Sequence, residues 1–310
     1  MRFWASLLAV LAVAGLAAAT MKNEYYFFAG YVVLQFVVLA SAWNLLGGYA
    51  GYVNFGTAAF FGLGAYIAVL LIKAWQLPLP VQILAAAAVG ALLGLGVGLL
   101  TLRLRGIFFS IATVAVTIIV ETVVINWRYV GGATGIQILR PAPTWPFDSY
   151  IEMLFFVGLL LAMLSVIIAR YVQTSWIGRG LRAIRDNEEA AECSGVPTLK
   201  LKLAACVLSG ALMSAAGAPL AMYQSFVEPV SAFSLNYSVS ALAMPIIGGT
   251  SHWIGPVLGA LLLGIVQQVV TVTVSSELNV LVVGVLLVVF VVAAPEGIVG
   301  LFKRLVRAKR

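Results

Sequence analysis

Few side chains in this sequence have the means to do chemistry, and they gather in two places. Ser110, Thr113, Thr117 and Glu121 recur at intervals of three and four residues inside an otherwise apolar run, so a helix would carry them as one polar stripe. Hydroxyls and a carboxylate are costly in lipid, and such a stripe must face protein or water. Two roles suit Glu121: an interfacial ion pair with Arg128, two turns on, or recognition of an ammonium or amide group on a passing solute. Asn44, Tyr49, Tyr52 and Asn54 add hydrogen-bonding groups in and beside a glycine-interrupted run, where such side chains also serve to fill gaps between helices. These eight residues are the candidates for a substrate pathway. The second place is the stretch 170–202, which holds ten of the charged residues: Arg170, Arg179, Arg182, Arg185, Asp186, Glu188, Glu189, Glu192, Lys200 and Lys202.

Covalent and metal chemistry find no support. Cys193, Cys206 and the single histidine His252 cannot assemble a disulfide framework or a His/Cys metal site, and the thiols read as reduced packing residues. No His-Glu-x-x-His pattern and no glycine-rich loop ending in Gly-Lys-Ser or Gly-Lys-Thr is present. The chain therefore reads as neither an enzyme nor a nucleotide binder, with no catalytic residue, metal or cofactor of its own.

These residues must be positioned by elements that live in lipid. Of 310 residues, 63% are hydrophobic and 9% charged, far more apolar side chain than one soluble core hides. A spanning helix needs about 20 apolar residues. Ten segments meet or approach that: Phe3 to Ala19, Tyr25 to Leu46, Thr57 to Ile72, Val81 to Leu102, Ile107 to Asn126, Tyr150 to Ala169, Leu203 to Tyr223, Leu235 to Ile247, Gly255 to Thr273 and Leu278 to Ala294. The first is either a cleaved secretory signal, with Ala17 and Ala19 at the cleavage pattern, or a retained span. The expected fold is a single all-α transmembrane domain over 1–310, a polytopic helical bundle of about 8–10 spans with short or broken helices and one cytoplasmic coupling helix within 170–202.

The net charge of +7 would suggest nucleic acid in a soluble protein. Here its distribution matters more, because membrane proteins keep Lys and Arg on the cytoplasmic side. With cytoplasmic termini, 14 of the 18 basic residues lie inside, and Lys22, Lys73, Arg128 and Arg140 lie outside. Lipid, not nucleic acid, is the implied surroundings, and a bacterial inner membrane the implied location. Two runs break the apolar pattern, Gly47 to Gly56 and the stretch from Pro245 through Gly248-Gly249 to Pro256. They are either ordinary cytoplasmic turns or irregular backbone beside a translocation pathway.

Within 170–202, Leu181, Ile184, Ala190, Ala191 and Gly195 follow the pattern of an amphipathic helix outside the bilayer, closed by Gly195 and stopped by Pro197. Arg182 with Asp186, and Arg185 with Glu189, stand four apart on its polar face. It is either a solvated loop helix on the headgroups or a docking surface for a soluble partner. The spacing of Glu189-Ala190-Ala191 and Gly195 resembles the signature loop of ABC importer permeases, whose short cytoplasmic helix fits a groove on an ATPase.

Longer stretches resemble LivM-type branched-chain amino acid permeases. They are Trp43 to Gly51, Asn54-Phe55-Gly56 through Tyr66, Arg105 to Thr113, Asn126-Trp127-Arg128 with Gly131 to Ile136, Gly178 to Arg185, Ile247-Gly248-Gly249, Trp253 to Ala260 and Pro295 to Ile298. At Ser251-His252 the chain departs from the family's usual glycine-leucine-glycine run. The resemblance implies a permease subunit working by alternating access beside a second permease, two cytoplasmic ATPase subunits that bind ATP and Mg, and an external solute-binding protein. The solute would be a branched-chain amino acid or a related small polar compound: another amino acid, an amide, urea or an aromatic acid. It also assigns ATPase coupling to Arg179, Arg182, Arg185, Asp186, Glu189, Ala190, Ala191 and Gly195. An ion-coupled secondary transporter is the alternative; it would need membrane-embedded coupling charges, where Glu121 stands nearly alone.

Overall fold

The computed structural model describes residues 23–104, 106–139, 147, 149–273, 278–294 and 296–308, together with 3, 9, 11 and 15. The expected first span, Arg105, Arg140 and Pro295 therefore lie wholly or almost wholly outside the described residues, as do the side chains of the basic tail.

Backbone groups in lipid must bond within their own segment, and the described chain is accordingly almost all helix. The long elements are α1 (Glu24–Ala50), α2 (Thr57–Trp75), α3 (Leu79–Thr101), α4 (Ile107–Ile125) and α5 (Tyr150–Thr174), followed by two short helices, α6 (Trp176–Asp186) and α7 (Glu188–Cys193). Then come α8 (Thr198–Gly217), α9 (Leu220–Gln224), α10 (Pro229–Ala232), α11 (Leu235–Gly248), α12 (Ile254–Thr273), α13 (Leu278–Ala293) and α14 (Gly297–Ala308). Two-residue strands, β1 (Ile136–Gln137) and β2 (Phe226–Val227), pair antiparallel, with Ile136 opposite Val227. Among the described residues nine stretches are long and apolar enough to cross a membrane. They correspond to the second through tenth expected segments.

Three expectations at the breaks are corrected. The second expected span does not stop at Leu46: α1 runs on to Ala50, because the Trp43 ring and the Asn44 side chain fill the space beside Gly47 and Gly48. It ends where Gly51 turns to φ +78°, the left-handed region glycine enters at no steric cost. The break expected from Pro245 onward begins only at Gly249: Pro245 lies inside α11, the helix continues to Gly248, and Gly249 (φ +110°) closes it with its N–H on the Pro245 carbonyl, 2.7 Å. The cytoplasmic helix expected through to Gly195 is two helices. Asn187 adopts an extended backbone (φ −162°, ψ 108°) and its side chain accepts from the Ala190 N–H, 3.1 Å, starting a new helix instead of continuing the old one. Arg185 and Glu189 thus sit on different helices.

Lipid provides no hydrophobic drive between helices, so close backbone approach through small residues does that work. The hub is α8, which packs on α1, α2 and α3. A Cβ on Gly64 of α2 would run into the Ser214 carbonyl of α8, and one on Gly94 of α3 would lie 2.8 Å from the Cys206 carbonyl oxygen. The pair α11 and α12 repeats the device, with Gly259 against the Met244 carbonyl. By contrast α4 and α13 turn broad apolar faces outward, among them Phe108, Ile111, Ile119, Val285 and Val289.

The packing predicts a sharp contrast between two glycines. Gly64→Val must force α2 and α8 apart, an overpacking cost of about 1–3 kcal/mol, whereas Gly96→Val meets open space. Thermal unfolding of the purified protein should show a lowered midpoint for the first and an unchanged one for the second.

Candidate functional site

The candidate site gathers at the end of the bundle where α6 and α7 lie. In α6 the apolar residues Leu181 and Ile184 point into the bundle and are buried. Gly178 lets the helix settle on the last turn of α5, where a Cβ would collide with the Val172 carbonyl. Its three arginines reach back to the spans and do not form the expected ladder. Arg179 donates to the Thr174 carbonyl at 3.3 Å and Arg182 to the Gln173 carbonyl at 3.5 Å. Arg185 donates to the Gly48 carbonyl near the end of α1 at 3.1 Å, and its Nε faces Asp186 at 3.6 Å. The aliphatic stem of Arg185 also covers Gly51, where a Cβ would stand 2.8 Å from its Cγ.

Beyond Asn187, α7 opens with Glu188 and Glu189, which the positive end of a helix favours. Ala190 and Glu189 face solvent, Ala191 is buried, and Gly195 (φ +81°) closes the segment by donating to the Glu192 carbonyl, 2.9 Å. Glu188 turns inward. Its carboxylate accepts from the Tyr52 hydroxyl at 2.6 Å and from the Lys202 ammonium at 2.6 Å. The same ammonium donates to the Tyr52 oxygen at 3.1 Å and to the Leu102 carbonyl at 3.2 Å, so all three of its protons are used. Lys202 is 4% exposed and Glu188 14%. One buried charge pair thereby joins α7, α8, the turn 51–56 and the end of α3.

The turn 51–56 is held by side chains that sequence reasoning assigned to a pathway. Asn54 caps its own turn, its side-chain oxygen accepting from the Gly56 N–H at 2.7 Å, while its carbonyl accepts from the Trp43 indole at 2.7 Å. Ser110 donates to the Val53 carbonyl at 2.9 Å, and Thr113 accepts from the Phe55 N–H at 3.0 Å. Tyr52 and Ser110 share a cleft of about 300 Å³. Thr117 is buried one turn along α4, its hydroxyl 3.4 Å from the Thr113 carbonyl. Asn44 donates to the Thr250 carbonyl at 3.2 Å and Tyr49 to the Ala169 carbonyl at 3.4 Å, binding α1 to the 249–253 turn and to α5. Glu121 lies apart and half-buried, and among the described residues no ion pair joins it to Arg128, which is exposed in a 3-10 turn. Glu188 and Lys202 were counted in the sequence only as loop charges. Lys202 carried a usable signal: an ammonium flanked by Leu201 and Leu203 at the start of an apolar helix needs a counter-charge.

Comparison with known proteins shows the family. A family model described as the permease component of branched-chain amino acid transport systems matches residues 25–291. The high-affinity branched-chain amino acid transport system permease protein LivM of Escherichia coli is 29% identical, over 90% of this chain and 71% of that protein. A probable branched-chain amino acid transport permease protein LivH of Methanocaldococcus jannaschii is 26% identical, over 82% of this chain and 85% of that protein. The L-arabinose transport system permease protein AraH of Escherichia coli is 33% identical over 41% of this chain and 36% of its own length. No solved structure gives a significant match.

Breaking the buried pair from one side should be worse than removing it. Lys202→Met strips Glu188 of its counter-ion at a cost of about 3–5 kcal/mol, while Lys202→Met with Glu188→Leu should regain most of that. Thermal midpoints of the two purified variants measure the difference; equal midpoints for Lys202→Met and the native chain would show that the pair holds nothing.

Proposed function

The chain belongs to the permease-component family of branched-chain amino acid transport systems, and from that premise we propose that it pairs with a second permease subunit in an ATP-driven importer of the bacterial inner membrane. Two cytoplasmic ATPase subunits bind ATP and Mg, an external solute-binding protein delivers a branched-chain amino acid or a similar small polar solute, and both termini of this chain lie in the cytoplasm. Lipid covers the outward apolar faces of the spans.

The observation that carries this reading is the tie between α6–α7 and the spans: Lys202 and Tyr52 on Glu188, and Arg185 on Gly48. An exposed helix that merely rested on headgroups would have no need of it. The segment Arg179, Arg182, Arg185, Asp186, Glu189, Ala190, Ala191 and Gly195 is the ATPase-coupling surface. Arg179, Glu189 and Ala190 are exposed to receive the motor, while Ala191 and the inward faces of Leu181 and Ile184 anchor it. When the ATPases close, α7 moves, and Glu188 draws the turn 51–56, α3 and α8 with it. Asn44, Tyr49, Tyr52, Asn54, Ser110 and Thr113 form the cytoplasmic gate of the pathway around that turn, and Thr117 and Glu121 continue it along α4. The cycle is alternating access with no covalent step in this chain.

Proline at Ala190 tests the lever. It removes the N–H that donates to Asn187 and disfavours helical backbone at Glu189. In proteoliposomes containing the whole importer, Ala190→Pro should leave ATP hydrolysis in place and cut solute uptake about tenfold, the factor that 1.4 kcal/mol corresponds to. Unimpaired coupled uptake would count against the lever. Uptake by the native complex with ATP withheld and ion gradients intact would identify an ion-coupled carrier instead.

A further inference from the structure

The half of the bundle away from α6 and α7 holds a polar cavity of about 180 Å³ between α1, α11, α12 and α13. Its polar lining comes from Asn236, Ser240, Gln267, Gln268 and Thr271. Gln267 sits about 20 Å along α12 from Ile254, well inside a hydrocarbon layer of about 30 Å. It is only 9% exposed. One end of its amide is used, Nε2 donating to the Ser240 hydroxyl at 3.2 Å, and the other, Oε1, has no hydrogen-bond partner among the described residues. Turning the amide round exchanges the two ends and still leaves one of them unmatched. A polar atom buried in lipid without a partner costs free energy, and nothing in the packing of α11 on α12 requires a glutamine there.

The lining also has a definite electrostatic character. Among the described residues it contains carboxamides and hydroxyls but no charged side chain, and Tyr237, Phe36 and valines make up the rest. A net charge entering it would lose its hydration and meet no counter-charge, whereas a carboxamide offers an acceptor to an ammonium and a donor to a carboxylate. The apolar remainder suits an aliphatic side chain. The volume is below that of a pocket for a drug-sized ligand.

We propose that this cavity is a solute-binding station in the outer half of the pathway, which takes net-neutral polar solutes such as amino-acid zwitterions, and that Gln267 contacts the solute directly. This deepens the importer reading and rests on it. It excludes organic anions such as aromatic acids from the station, and it places recognition on α11 and α12, away from the stripe on α4.

The test uses the complete importer in proteoliposomes, with radiolabelled leucine as the probe and Gln267→Leu as the variant. Leucine uptake should fall about tenfold while assembly, thermal midpoint and basal ATP hydrolysis stay at native values, and excess benzoate should not displace leucine from the native complex. Native uptake in Gln267→Leu, or a fall in uptake matched by a lowered midpoint, overturns the proposal. If that variant does not assemble, Gln267→Asn decides: a raised KM for leucine in an assembled complex supports the station, and an unchanged KM overturns it. The native complex is the control for the underlying reading. No ATP-dependent uptake there rejects the importer itself, whereas uptake indifferent to residue 267 rejects only the station.

Discussion

A lysine ammonium that is 4% exposed must have its charge answered on the spot, and Lys202 is answered three times over, by Glu188, Tyr52 and the Leu102 carbonyl. Removing two ions from water is expensive, and the arrangement is tolerable because each proton and each carboxylate oxygen finds a partner. The consequence is geometric. A six-residue helix such as α7 has no stability of its own in water. Its position is set by the carboxylate at its first residue, held from inside the bundle, and by Asn187, which caps it from outside. Everything proposed for α7 as a lever depends on that anchorage, because a helix free to fray would absorb a push instead of passing it on.

What the push reaches is decided by packing. The ammonium belongs to the second turn of α8, and α8 is the helix whose small residues let α2 and α3 come within backbone contact. Close-packed interiors shift between discrete arrangements and do not deform smoothly, so in the proposed cycle α2, α3 and α8 would move as a body with Lys202. The outward helices α4 and α13 are not locked in this way. Their apolar faces are available to lipid or a neighbouring subunit, and a change in how the locked body sits can be accommodated there.

The spans were legible because lipid imposes one rule on every residue of a segment, and a run of twenty apolar residues satisfies it in only one way. Breaks were legible as breaks, but their form was not. Gly47 and Gly48 read as a helix end, yet Trp43 and Asn44 fold over them and α1 continues. Pro245 read as a stop, yet α11 carries it. In the charged loop, spacing suggested Arg182–Asp186 and Arg185–Glu189 pairs, but the cap at Asn187 puts Arg185 and Glu189 on different helices, and Arg182, on one helix with Asp186, donates to the Gln173 carbonyl. The role of Tyr52 was hidden for another reason. Its partners Glu188 and Lys202 lie 136 and 150 positions away, and no local pattern encodes a contact of that separation. Gln267 sits within the apolar ninth segment, and the structure shows its amide finding half of the hydrogen bonds it needs.

Polarity is therefore divided along the bundle. At one end Arg179, Arg182, Arg185, Glu188 and Lys202 meet the spans, and toward the other the described lining of the cavity around Gln267 and Asn236 is uncharged. The two ends share elements. The 249–253 turn is tied to α1 through Asn44 and to α5 through Gln173, which accepts from the Trp253 N–H at 2.9 Å. From that turn α11 and α12 run together, sealed at the glycine contact of Gly259 on Met244, to the cavity that Ser240 and Gln267 line. A helix transmits an axial or tilting displacement along its whole length, since its hydrogen bonds resist stretching. A rearrangement at the charged end that reaches the 249–253 turn would carry α11 and α12 together, and with them the Ser240–Gln267 hydrogen bond and the spare amide atom of the proposed station.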